Sequence, residues 1–344
     1  MPHAASDNDS NERYGVSMTR EAAEALGFDG ERLARIEPYL RERYIDSGLL
    51  PHCQLLIARD GEIAHFSHQG TAREGGSPID ETSLFRIASM TKPITSIAFM
   101  MLVEQGKVAL DTPVHRVLPE FRDVAVFEGG THGSYTTRPT TQPMRMVDLL
   151  RHTSGLTYGF QERTPVDAAY RELKLERWHG GLNLDEFVAA LGKLPLEFSP
   201  GEEWNYSVST DVLGAVVQRV SGMPLAEFFR TRIFAPLKME DTFFAVPADK
   251  TDRLTDCYTF VPGKARELFD RGAESLWSQM PKLVSGGGGL VSTALDYHRF
   301  CRMCLNGGEL DGARIVGRKT IDLMTRNHLP GGSDLWRMSK SLFS

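Results

Sequence analysis

The sequence predicts an α/β fold joined to a helical region: an antiparallel sheet flanked by helices, then a large, mostly helical domain. Three observations predict it. A hairpin signal lies between Pro51 and His68, and an amphipathic segment precedes it, with Leu33, Ile36, Leu40 and Tyr44 at helical spacing. From Lys107 to about Pro330 the patterns are mostly helix and loop. The 344 residues are ample for a sizeable core, and their 41% apolar and 24% charged content is that of a soluble globular chain.

Each element has a local reason. The first seventeen residues are rich in Asn, Asp and Ser and hold no apolar core of a secretory signal, so residues 1–26 are expected to form a flexible tail. Pro38 interrupts the amphipathic segment, so a kink or a late helix start is expected there. In the hairpin, Cys53, Leu55 and Ile57 alternate, Asp60-Gly61 supplies a two-residue turn, and Ile63 and His65 continue beyond it. A helix follows from about Ser89 to Gln105, with Ile94, Ala98, Met101 and Leu102 on one face, and Gly106 ends it.

The domain boundaries expected are 27–105 for the N-terminal part of the α/β domain, 106–330 for the helical domain and 331–344 for a C-terminal tail. Helices are predicted over Val147–His152, Asp185–Leu191, Thr210–Ser221, Pro224–Ile233, Ala294–Leu305 and Lys319–Asn327. The Gly/Thr-rich stretch Glu128–Gln142 reads as a structureless connection, and Ser285–Gly289 as a tight turn into the helix that Ser292 or Thr293 would cap.

Charge and cysteine narrow the function. With 39 basic and 45 acidic side chains the formal charge is −6, which argues against nucleic acid or an anionic membrane and favours a small-molecule partner. No window approaches a membrane-spanning run. Four Cys are too few for a disulfide framework, so the cytoplasm is the expected compartment. Cys301 and Cys304 form a lone CxxC, read as two packed helix thiols. The ten His show no HxxxH or HxH cluster, so no metal site is expected, and the serine chemistry described next requires no organic cofactor.

The chemistry concentrates in two places. Ser89-Met90-Thr91-Lys92 puts a hydroxyl and an amine three residues apart, on one face of a helix. Ser89 would sit at the helix N-terminus, where free N–H groups and the positive dipole end favour an oxyanion. Lys92 lies in an apolar helix, where desolvation favours the neutral amine, and a neutral amine can take the serine proton. Further on, Tyr206 follows the Pro200-Gly201 turn and precedes an apolar helix, so its phenol can project into a cleft and relay protons near a lysine. His152, in RHTSGL, is read as a turn or cap residue rather than a base.

Together SxxK, the Tyr206-Ser207-Val208 segment and the flanks LLRHTSGL and SPGEEWNYSVSTDVLGAVVQRVSG resemble one family. This is the β-lactamase-like, penicillin-binding-protein superfamily of serine hydrolases, closest to its class C β-lactamase branch and the related family VIII carboxylesterases. The resemblance runs from about Gly27 to Pro330. It implies Ser89 as the acylated nucleophile, with Lys92 and Tyr206 as its proton acceptors, and a small ester or amide as substrate. Class C lactamases usually carry Asn two positions after the tyrosine, where this chain has Val208. An esterase is therefore expected, with a β-lactamase, a D-alanyl peptidase or an acyltransferase as alternatives.

The third family motif, Lys-Thr-Gly or a His/Trp-containing substitute, has no counterpart. Lys319-Thr320-Ile321 lies in an apparent helix, and His179-Gly180-Gly181 precedes Tyr206. With only one convincing hairpin in view, the C-terminal sheet strands are expected to be missing. A chain so truncated would lack one oxyanion donor, be weakly active or inactive, and tend to form a homodimer through its exposed sheet edge. In the extreme it would be an inactive relative that binds a ligand or acts as a scaffold.

Overall fold

The computed structural model describes residues 20–260 and 266–341. The chain forms two compact units, each assembled from separate stretches of sequence. The first gathers Met1–Arg86, Val246–Ser278 and Ser292–Arg302; the second gathers Ile87–Ala245, Gln279–Val291 and Met303–Ser344. These limits differ from the contiguous domains expected at 27–105 and 106–330, because segments about 170 residues apart pair within one unit, as Leu84 N–H does with the Arg253 carbonyl.

In the first unit, the expected tail 1–26 is helical over α1 (Arg20–Ala25), while residues 1–19 lie outside the described part. Arg20 and Glu24 pair at 2.8 Å across one turn of this Ala/Glu-rich stretch, which favours helix. The amphipathic segment is broken rather than late: a short helix Gly30–Leu33, capped by Asp29, is followed by α2 (Ile36–Leu40), which runs on into a wide turn over Arg41–Ile45. Strands β1 (His52–Arg59) and β2 (Glu62–Gly70) form the expected antiparallel hairpin. Its turn residues Asp60 and Gly61 both have positive φ, 54° and 88°, as a type I′ turn demands. Ile63 and Phe66 on β2 are buried and pack with Leu295, and Leu56 joins them from β1.

In the second unit, helix α3 (Thr91–Glu104) was expected to be amphipathic and is instead buried nearly all round. Ile94, Ile97, Ala98, Phe99 and Leu102 are all inaccessible, which is how an apolar helix behaves at the centre of a core. The Gly/Thr-rich stretch expected to be structureless is a hairpin of β3 (Ala125–Thr131) and β4 (Ser134–Pro139). Its β-branched and aromatic residues favour strand, and Gly133, with φ 84°, makes the turn. One convincing hairpin was therefore too few: each unit holds two two-stranded antiparallel ladders among the described residues.

The other predicted helices fall close to prediction, including α4 (Met146–Leu150), α5 (Leu184–Leu191) and α6 (Ser209–Ser221), while the helix Pro165–Glu172 was not predicted. Helix α6 packs on α3, and its Val212, Leu213 and Val216 are fully buried. It ends at Gly222, whose φ of 71° supplies the left-handed cap. The C-terminal stretch expected as a tail carries the short helix Leu335–Met338, capped by Asp334, and residues 342–344 lie outside the described part. No helix among the described residues is long and apolar enough to cross a membrane.

Candidate active site

All three residues singled out from the sequence lie in the second unit, and they meet. Ser89 occupies a single 3₁₀ turn, Ala88–Met90, that leads into α3. Ala88 before it has φ 42°, a left-handed conformation costly for a residue with a side chain, and such strain gathers at functional turns. Hydrogen bonds from Ile87 N–H to the Leu290 carbonyl and from Met90 N–H to the Ile87 carbonyl, each 3.0 Å, hold the corner. Lys92, three residues on, places Nζ 3.1 Å from Ser89 Oγ, and donates to the Gly287 carbonyl at 2.7 Å. Tyr206 Oη lies 2.6 Å from Ser89 Oγ.

Tyr206 is set by a pinned backbone rather than by a regular element. Asn205 N–H donates to the His152 carbonyl at 2.9 Å, and the Asn205 side chain to the Leu156 carbonyl at 3.0 Å. The Gln161 amide donates to the Tyr206 carbonyl at 2.9 Å. Around the ring, His152 and Tyr158 stand at centroid distances of 5.0 Å and 5.3 Å. Lys92 Nζ sits 4.7 Å from the Tyr206 ring centroid and 5.5 Å from that of Tyr158, a cation–π arrangement that draws the amine towards the phenol. Burial, helped by nearby Asp211, pushes the Tyr158 phenol well above its ordinary range, so it stays protonated.

His152 forms the turn expected after α4, with φ 59°, and also does what its sequence context did not announce. Its Nδ1 accepts from Ser207 N–H at 3.3 Å, which assigns the ring proton to Nε2. Ser207, Ser209 and Ser154 continue the network through hydroxyl contacts of 2.7 Å each. Burial, and then Lys92, push His152 down to about 3, so the ring is neutral.

A histidine whose folded pKa lies below its unfolded value opposes protonation of the folded state alone. The unfolded chain takes up a proton below about 6.5, and stability then falls as pH drops from there towards 3. The loss is expected to reach a few kcal/mol, about 1.4 for each unit of separation. In His152→Asn, which tolerates the left-handed backbone and cannot titrate, the decline of Tm between pH 7 and 4 should be shallower. Parallel Tm–pH curves for the two proteins would refute the assignment.

The glycine run expected as a tight turn does turn at residues 286–288, but its glycines answer mainly to close approach. A Cβ on Gly286 would lie 2.8 Å from the Thr210 carbonyl, one on Gly287 would overlap the Asp211 carboxylate, and one on Gly288 would meet Trp178 at 3.0 Å. Sequence reasoning missed Asp211, Ser285 and Gly287 as neighbours of the lysine. They lie more than a hundred residues beyond it and carry no local motif. Of the two partial matches to the third motif, Lys319 lies on the helix Arg318–Met324 and pairs with Asp322 at 3.6 Å. Among the described residues no group of three or more His, Cys, Asp or Glu is placed to hold a metal ion.

A helical core edged by small antiparallel ladders, with serine, lysine and tyrosine in hydrogen-bond reach, is the architecture of a class of serine hydrolases. The chain belongs to the Beta-lactamase family, whose model matches residues 41–337. The resemblance drawn from SxxK and the tyrosine segment is thereby borne out. Protein Rv1367c of Mycobacterium tuberculosis (strain ATCC 25618 / H37Rv) is 36% identical over 285 residues, covering 83% of this chain and 69% of its own. Esterase EstB of Burkholderia gladioli is 41% identical over 193 residues, covering 55% of this chain and 46% of its own. Among solved structures, EstCE1, described as a hydrolase with promiscuous acyltransferase activity, superposes with a TM-score of 0.71 at 28% identity, covering 87% of this chain and 78% of that one.

Proposed function

We propose that this hydrolase cleaves a small carboxylic ester through an acyl-serine intermediate, with Ser89 as nucleophile and Lys92 and Tyr206 as its proton acceptors. The observation that carries the proposal is the double contact of Ser89 Oγ, 2.6 Å from Tyr206 Oη and 3.1 Å from Lys92 Nζ. The Ser89 proton passes into this pair as Oγ bonds to the ester carbonyl carbon. The tetrahedral oxyanion is held by the Ser89 backbone N–H at the head of α3, where the helix dipole is positive. Collapse breaks the bond to the alcohol oxygen, which leaves with the proton returned from the pair. Water then attacks the acyl-serine by the same route and restores Ser89. The four cysteines, free of disulfides, support a reducing compartment such as the cytoplasm.

Val208 supports an ester over a β-lactam. It occupies the position where class C lactamases have Asn, and it is buried, offering the substrate no amide. The esterase among the relatives points the same way. p-Nitrophenyl butyrate is expected to be turned over at least about tenfold faster than nitrocefin by the same preparation, since a missing polar partner discriminates strongly. Faster turnover of nitrocefin would overturn the substrate class.

A further inference from the structure

We propose that Asp211 is a positioning residue for Lys92: it clamps the Ser285–Gly289 turn, whose Gly287 carbonyl aims the lysine nitrogen at Ser89. The inference rests on the reading of Lys92 as a proton acceptor of Ser89. Asp211 lies on the first turn of α6 and is buried. One of its oxygens, Oδ1, accepts from Ser285 Oγ at 2.5 Å and from Gly287 N–H at 3.1 Å. The turn is also stapled to α3 on either side of the lysine. Thr95 Oγ1 donates to the Gly286 carbonyl at 2.7 Å, and Leu290 N–H donates to Thr91 Oγ1 at 3.2 Å. So held, the Gly287 carbonyl receives Lys92 Nζ at 2.7 Å. A neutral amine that spends an N–H there turns its lone pair to Ser89. Without that acceptor, Nζ is free to drift over the faces of Tyr206 and Tyr158.

Charge acts in the same direction as geometry. Burial raises the pKa of Asp211, while Lys92 and the two hydrogen bonds from the turn favour its carboxylate. The groups around the lysine are Asp211, Tyr206, neutral His152 and protonated Tyr158. Glu176, whose carboxyl is pushed up to about 7 by burial, faces Asp211 and Tyr158 and titrates in the working range.

The test compares wild type, Asp211→Asn, Asp211→Ala and Ser285→Ala, with Glu176→Gln as control for the neighbouring carboxyl. The Lys92 Nζ resonance is followed by NMR on ¹⁵N-lysine protein at one fixed pH, and the rate of Ser89 labelling by a fluorophosphonate is measured beside it. Asp211→Asn keeps an acceptor oxygen for Ser285 and Gly287 but no charge, so the Nζ resonance should stay near its wild-type position. Asp211→Ala releases the turn and should displace that resonance and slow labelling by about 10²-fold, and Asp211→Asn should recover part of that rate. An Nζ resonance and a labelling rate unchanged in Asp211→Ala overturn the inference. Where Asp211→Ala fails to fold, Ser285→Ala removes one of the two bonds from the turn, and an unchanged resonance and rate in that variant overturn the inference equally. A resonance that is displaced while Ser89 is never labelled leaves Asp211 in place and overturns the nucleophile instead.

Discussion

Replacing Ser89 with alanine should abolish labelling by a fluorophosphonate and lower ester turnover by about 10⁴-fold or more, as loss of a nucleophile does elsewhere. The expectation follows from geometry. Ser89 Oγ is the atom on which Tyr206 Oη and Lys92 Nζ both converge, and it sits on an exposed turn behind a strained Ala88. Without Oγ, the phenol and the amine have no proton to take and no covalent intermediate forms. The fold should survive, because Ser89 is exposed and its removal opens no cavity, so Tm should change little. Mass spectrometry of the intact protein after incubation reads the result. Labelling that persists in Ser89→Ala, or a variant that keeps a tenth of wild-type turnover, would show that another residue carries the acyl group.

The parts of the site visible in the sequence are those whose geometry is local. Ser89 and Lys92 are three residues apart, and helical spacing alone brings them to one face. Tyr206 was visible for a different reason: the Pro200-Gly201 turn and the apolar helix bracket it, and the flanking segments match a family. What fixes the tyrosine was not visible. His152 reads as a cap, and only the folded chain brings its ring to 5.0 Å from Tyr206 and links it to three serines. Asp211 looks like an ordinary acidic residue in the first turn of a helix, where the dipole alone would explain it. Its contacts with Ser285 and Gly287 cross more than 70 positions of sequence, which no periodicity reports.

The same division holds for the fold. The β1–β2 hairpin was legible because Asp-Gly states its turn type and the strands alternate. The β3–β4 hairpin was hidden because its glycines resemble those of a loop. Yet Gly130, with φ 90°, and Gly129 lie beside the register shift between Phe127 and Gly129, where a bulge relaxes the strand. The burial of α3 nearly all round was hidden because Thr91, Thr95 and Ser96 interrupt its apolar run. Thr91 and Thr95 are buried because their hydroxyls bond the glycine turn.

Tyr206→Phe should lower kcat for an ester by about 10²–10⁴-fold, the range of a positioned acid–base group, with KM little changed. The substitution removes one atom. The phenylalanine ring keeps its packing beside His152 and Tyr158 and still presents a face to Lys92 Nζ, now 4.7 Å from the tyrosine ring centroid. It loses the 2.6 Å contact to Ser89 Oγ, and with it one of the two groups able to hold the serine proton. Lys92 remains at 3.1 Å, so residual turnover should exceed that of Ser89→Ala, and fluorophosphonate labelling should be slowed rather than abolished. Because the lost hydroxyl contacts the nucleophile, the defect should fall on kcat; a rise in KM alone would mean that Tyr206 binds substrate instead. Turnover within threefold of wild type would remove Tyr206 from the proton path and leave Lys92 as the single base.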